Sequence, residues 1–165
     1  LNEHKFDKGN KNFQPSNLEI TSINVDNTAT NVIPATARAQ FNVRFNNFHT
    51  SKSLKKKINS IVRNLCKKNK CKFKIDFHVS GESFLTKPNK TIYMAKNIIK
   101  KITKVTPVFS TTGGTSDARF IRKISPCLEF GLVGKTMHKI DEAVSLRDLK
   151  NLTKIYQNIL QDYFK

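Results

Sequence analysis

At 165 residues and 38% hydrophobic content, the chain can build one good core or two small ones, and it is too apolar to be a disordered tail. No apolar run approaches the roughly 18 residues needed to cross a bilayer, so no membrane role is expected. The 30 basic and 12 acidic residues leave a net charge of +18, which raises nucleic acid as a partner; but the lysines are scattered through every region alongside asparagine and isoleucine, so no specific nucleic-acid stripe is expected.

Cys66, Cys71 and Cys127 form neither an even disulfide set nor a Cys-x-x-Cys knuckle, which points to free thiols in a reducing compartment, the cytoplasm. The chain begins with Leu1, and the intact protein is expected to extend further upstream.

In chain order, residues 1–16 are polar, contain Gly9 and Pro15 and show no period, which predicts a connecting loop. Leu18, Ile20, Ile23 and Val25 predict a strand whose alternation slips by one at Thr21-Ser22, the mark of a bulge. From Ala35 to Phe45 the alternation is strong: Ala35, Ala37, Ala39, Phe41, Val43 and Phe45 face one way, and the intervening polar residues the other. Thr50 or Ser51 caps a predicted helix carrying Leu54, Ile58, Ile61, Val62, Leu65 and Cys66 on one stripe, with Lys55-Lys56-Lys57 read as its solvated face. Phe73, Ile75, Phe77 and Val79 return to a period of two and predict a third strand. This β-β-α-β order describes a two-layer α/β sandwich that is incomplete as it stands.

Ser80-Gly81-Glu82-Ser83 and Lys87-Pro88-Asn89 mark a boundary, which divides the chain into 1–82 and 83–165. Beyond it, Ile92, Ala95, Ile99 and Ile102 share a helical face, and Pro107-Val108-Phe109-Ser110 predicts a short strand. Thr111-Thr112-Gly113-Gly114-Thr115-Ser116-Asp117 then leads into a helical pattern from Ala118 to Ile124. Two glycines between a strand and a helix can let backbone N–H groups approach an anion; an ordinary turn capped by Ser116 or Asp117 accounts for the same residues. Residues 127–133 predict a buried strand. The last helix opens on Ser145-Leu146-Arg147-Asp148 and is predicted to turn Leu146, Leu149, Leu152, Tyr156, Ile159, Leu160 and Tyr163 inward. Alternating helix and strand belongs to a covered, largely parallel sheet, of which two strands are only a part.

Three positions stand out chemically. His138 follows the 127–133 run, where the loops beyond strand ends gather ligands; it fits a metal ligand or a general base, with Asp141 or Glu142 beside it, and equally a surface histidine. His4, His49 and His78 have no better claim. Arg44 ends the strongest strand, where its guanidinium fits either a bidentate carboxylate contact or a solvated sheet face.

Thr-Thr-Gly-Gly-Thr-Ser-Asp-Ala-Arg-Phe at 111–120, Asn-Val-Ile-Pro at 31–34 leading to Phe-Asn-Val-Arg-Phe at 41–45, Ser-Gly-Glu-Ser-Phe-Leu-Thr at 80–86 and Thr-Met-His-Lys-Ile-Asp-Glu at 136–142 occur in order. Together they resemble the C-terminal part of the succinyl-diaminopimelate desuccinylase family of di-zinc amidohydrolases, over nearly the whole chain. The glycine loop is the discriminating motif, because related deacylases of the same architecture carry a different one. The resemblance implies an α/β protein in which residues 1–82 end a two-layer lid that makes a homodimer, and residues 83–165 end a three-layer α/β/α catalytic domain. It implies that His138 is a zinc ligand and that Asn31, Arg44, Ser80, Gly113, Gly114 and Thr115 face a small-molecule substrate, Asn31 and Arg44 from the lid. It further implies two zinc ions, one replaceable by cobalt, that share a bridging water and polarise the scissile amide, with a glutamate as proton carrier. That glutamate and the other ligands lie upstream in the family, so no catalytic residue is assigned within this chain and the isolated piece is expected to be inert. Gly134 stands where the family usually has asparagine.

Two readings compete. A non-catalytic dimerisation or binding module could use the 17–80 region through a strand edge, and a related metallo-deacylase or peptidase would share the architecture. A nucleic-acid binder ranks behind both, because the chain has no Trp and no RNP-like aromatic motif.

Overall fold

The computed structural model describes residue 1 and residues 3–113 and 116–165, a mixed α/β chain that divides into two compact units. One comprises Leu1–Phe84 with Thr111–Gly114, the other Leu85–Ser110 with Thr115–Lys165.

In the first unit, β1 (Asn17–Asn24) pairs antiparallel with β2 (Arg38–Arg44). The register runs Leu18 opposite Val43 and Ile20 opposite Phe41, then slips so that Ile23 lies opposite Ala39. Thr21 is the extra residue, a bulge at the position where the hydrophobic alternation breaks. Because directly paired residues share a sheet face, the bulge returns Ile23 to the face of Leu18 and Ile20. Only the Leu18 end of that face is buried, at 2% exposure; Ile20, Ile23 and Val25 are exposed. The second strand is shorter than its alternation predicts, as Ala35 and Ala37 lie outside the ladder.

Helix α1 (Ser51–Lys68) covers the buried end. Thr50 is its N-cap in a reciprocal capping box with Ser53, and the stripe buries Leu54 and Ile58 against Phe6 and Leu18, with Phe41, Val43, Phe45 and Val62 around them. Removing these side chains from water supplies the main stabilisation, roughly 1.5–3 kcal/mol for each one fully buried. Two expectations fail here. Residues 1–16 are no mere connector, because Phe6 enters the core. Lys55 and Lys57 are half-buried, lying 5.8 Å over the Phe77 ring and 5.2 Å over the Phe6 ring, so that only Lys56 of the three is fully exposed.

The predicted third strand, 73–79, joins no ladder among the described residues. Its side chains keep the period of two, with Ile75 and Phe77 packed on the core and Phe77 edge-on to Phe41. Alternation records which face is buried; a strand also needs a neighbour for its N–H and C=O groups.

The second unit is built on α2 (Lys90–Thr103) and α4 (Leu146–Tyr163), with the single turn α3 (Ala118–Ile121) between them. Asn89 and Ser145 cap the long helices through their side chains, and Lys104, left-handed at φ 61, ends α2. Ile98 and Ile99 of α2 pack on Ile155 of α4, with Met94, Ile102, Phe130 and Ile159 alongside. The inward face of α4 is thus corrected. Ile155 is its buried residue, whereas Leu146, Leu149, Tyr156, Leu160 and Tyr163 are exposed, because the apolar band is wider than the single helix against it. Neither 107–110 nor 127–133 forms a strand among the described residues, and Leu128, Leu132 and Val133 are exposed rather than buried. A buried strand needs sheet neighbours and cover on both faces, and this unit offers Phe130 only the α2–α4 pair and a hydrogen bond to its carbonyl from Tyr156 Oη, at 2.5 Å.

Candidate functional site

Within the first unit lies a polar centre that neither periodicity nor motif singled out. Asp7 Oδ1 accepts hydrogen bonds from the Gly9 N–H at 2.7 Å and from Asn46 Nδ2 at 2.6 Å, and both carboxylate oxygens lie 3.2 Å from the Ser16 N–H. Asn46, 2% exposed, is fully used: Nδ2 also donates to the Gln14 carbonyl, Oδ1 accepts from the Phe48 N–H and its own N–H donates to Ser16 Oγ. Burial would raise the Asp7 pKa, but the hydrogen bonds from Ser16, Gly9 and Asn46 outweigh it and lower the carboxyl from 3.8 to about 2. His49 Nε2 lies 3.1 Å from Asp7 Oδ2 without the alignment of a hydrogen bond. The available sequence signal was Asp-x-Gly-Asn at 7–10 together with Asn46-Asn47 after a strand, residues that favour side-chain to backbone bonds over regular ladders.

Arg44 ends β2 opposite Asn17, two residues before Asn46. It is exposed and enters no ion pair among the described residues, so its five donors remain open to a ligand carboxylate. Ser80 is exposed two residues before Glu82, whose carboxylate accepts the Ser51 N–H at 3.0 and 3.2 Å. That contact places a negative group on the electropositive start of α1, which carries no acidic residue of its own in the first turn. Gly113 has φ 139 and open space where a Cβ would stand; the neighbouring segment is tied down by Thr111 Oγ1, which donates to the Asn12 carbonyl. Gly114 and Thr115 lie outside the described residues. Asn31 is exposed in the turn that follows β1, where Asn27 Nδ2 bonds the Ala29 and Val32 carbonyls.

The glycine loop departs from the expected strand-to-helix handover. No strand enters it, α3 is one turn long, and Asp117 makes no side-chain cap; Ser116 Oγ accepts the Ala118 N–H instead, at 3.3 Å.

In the second unit, His138 sits in a loop closed by Thr136, whose Oγ1 exchanges 2.9 Å hydrogen bonds with the Ala143 N–H and carbonyl. His138 and Asp141 both hold left-handed backbone, φ 63 and 59, and the His138 N–H points to Glu142 Oε2 at 3.4 Å. A left-handed non-glycine residue costs about 1 kcal/mol or more and is uncommon, and here it leaves the imidazole exposed on a tight loop. Among the described residues no group of three or more His, Cys, Asp or Glu could hold a metal ion. One imidazole is short of the three or more protein groups a zinc requires, so the donors here do not by themselves fit a di-zinc centre. No helix among the described residues is long and apolar enough to cross a membrane.

Residues 1–70 match the peptidase dimerisation domain. Over 164 residues, 99% of its length, the chain is 68% identical to a succinyl-diaminopimelate desuccinylase of Pelagibacter ubique, covering 43% of that protein. It is 49% identical to the enzyme of that name from Rhodopseudomonas palustris strain BisB5, over its whole length and 42% of the relative. With that of Rickettsia bellii strain RML369-C it shares 44% identity over 98% of its length and 41% of the relative. The chain thus spans less than half the length of the curated relatives it matches.

Proposed function

From a chain homologous over nearly its whole length to succinyl-diaminopimelate desuccinylases and carrying a peptidase dimerisation domain, we propose the C-terminal part of a zinc-dependent amidohydrolase. It would cleave N-succinyl-LL-2,6-diaminopimelate into succinate and LL-2,6-diaminopimelate, in the cytoplasm and as a homodimer. The observation that carries this reading is the 68% identity that extends over 99% of the chain rather than over one motif. In this reading residues 1–82 finish a two-layer lid and residues 83–165 finish a three-layer α/β/α catalytic domain. That division accounts for an apolar 73–79 segment without a ladder partner and for the open apolar band of α4.

Asn31, Arg44, Ser80, Gly113, Gly114 and Thr115 take the substrate. The open guanidinium of Arg44 suits a succinyl carboxylate, and the exposed backbone of Gly113 can approach a ligand without a Cβ in the way. His138 contributes one imidazole to metal; the remaining ligands and the proton-carrying glutamate come from the part of the protein outside this chain. The peptidase dimerisation match over residues 1–70 supports a second, non-catalytic capacity for the isolated piece, association through the lid.

The test uses the intact enzyme. Arg44→Ala should raise KM for the succinylated substrate about 10- to 100-fold while metal content is unchanged, the loss of a charge-assisted bidentate contact. His138→Ala should remove metal and activity together. An enzyme with His138→Ala that keeps its full metal content and normal turnover would overturn the assignment.

A further inference from the structure

The end of α1 brings two thiols together by backbone geometry. After the cap residue Asn69, Lys70 adopts left-handed backbone at φ 53, its N–H bonds the Lys67 carbonyl at 3.3 Å, and the Cys71 N–H bonds the Cys66 carbonyl at 3.0 Å. These two bonds define a Schellman stop, in which the residue after the left-handed one meets the side chain of the residue five places back; ordinarily an apolar pair fills those positions. Here both are cysteine. Bond lengths alone hold the two Cα atoms of a residue pair so bonded within roughly 7 Å, the outer limit of the span disulfides bridge. The Cys71 thiol, with partial burial, pushes that of Cys66 upward in pKa. Cys71 is exposed and Cys66 half-buried, and both are free thiols.

We infer that Cys66 and Cys71 form a reversible thiol–disulfide site, closed by a low-molecular-weight disulfide such as oxidised glutathione. The exposed Cys71 thiolate attacks one sulfur of the small disulfide and expels one thiol. The Cys66 thiolate then attacks the Cys71 sulfur of the mixed disulfide and expels the second. Two cysteine thiols have given up two protons and two electrons, and the small disulfide has become two thiols. Lys67, Lys68 and Lys70 lie between the pair in sequence. Cys127 belongs to the other unit and serves as the internal control.

The experiment treats the full-length protein with oxidised glutathione, blocks residual thiols and maps the peptides by mass spectrometry, native and in guanidinium chloride. The expected result is a Cys66–Cys71 link that forms at least tenfold faster in the folded protein than in the unfolded one. Cys127 should carry at most a slow glutathione adduct, and C66S should stall at a glutathione adduct on Cys71. The inference is overturned if folded protein accumulates separate glutathione adducts on Cys66 and Cys71, or if unfolding leaves the linking rate unchanged or raises it.

Discussion

Asp7 and Asn46, 39 residues apart in sequence, are joined by a 2.6 Å hydrogen bond that fastens the N-terminal segment to the end of β2. The Asp7 carboxyl stands at about 2 in place of 3.8. A depressed carboxyl contributes stability that is fully present above the unfolded value and lost as pH falls through the folded one. For Asp7 the loss runs from about pH 4 to about pH 2 and amounts to about 2 kcal/mol. Asp7→Asn should remove that part of the acid transition. Urea unfolding at pH 7 and pH 3 checks it: the stability gap between wild type and variant should narrow at the lower pH, and a gap independent of pH would contradict the assignment.

The helices were legible because their evidence is local. Thr50 and Ser145 are cap residues placed where a 3.6-residue stripe begins, and each caps; Asn89, legible only as part of a boundary, caps α2. The Thr21 bulge was legible because a one-residue slip in a period-two pattern leaves no other geometry. The ladders were less so: 73–79 and 127–133 carry the hydrophobic pattern of strands, but pairing depends on a neighbour that no short window contains. The Asp7 centre was invisible to periodicity altogether, since its members are polar and far apart, and hydropathy marks them only as loop. Of the candidate site, the residues came from a resemblance in motif order. The left-handed backbone at His138 and the Glu82 clamp on Ser51 are conformations that composition does not encode.

Gly9 should tolerate no side chain. Its φ is 71, and a Cβ would stand 2.7 Å from both the Phe13 carbonyl oxygen and the Pro15 nitrogen, backbone atoms that cannot swing aside. Gly9→Ala is expected to cost about 2 kcal/mol or more and, by displacing the Gly9 N–H from Asp7, to shift the acid transition upward. A urea midpoint within error of wild type would show that the turn can relax.

The charge of +18 should produce only weak, sequence-independent attraction to duplex DNA, on the order of 10⁻⁴ to 10⁻⁶ M at physiological salt and fading as salt rises. Lys55 and Lys57 lie over Phe77 and Phe6, which removes two members of the only lysine triplet from a free surface. Lys56→Ala should therefore change DNA affinity no more than a lysine substitution elsewhere. Fluorescence anisotropy across a salt series and a set of unrelated duplexes measures this; one duplex bound a thousandfold more tightly than the rest would establish a nucleic-acid function.

The isolated 165-residue chain should release no succinate from N-succinyl-LL-2,6-diaminopimelate, with or without added zinc. Hydrolysis of an unactivated amide at neutral pH needs a strongly polarised carbonyl and an activated water, and a metal that supplies both must be held by several protein groups at once. Among the described residues no cluster of three such groups exists, and the imidazole of His138 stands exposed on a loop where Glu142 accepts the backbone N–H of His138. The three thiols do not change the count, since cysteines are among the groups that form no such cluster among the described residues. Two readings on one preparation decide the matter: zinc bound per chain after dialysis, expected well below one equivalent, and succinate formed over hours, expected at the blank rate. Zinc-dependent succinate release by the purified chain would mean that the catalytic donors lie within these residues after all.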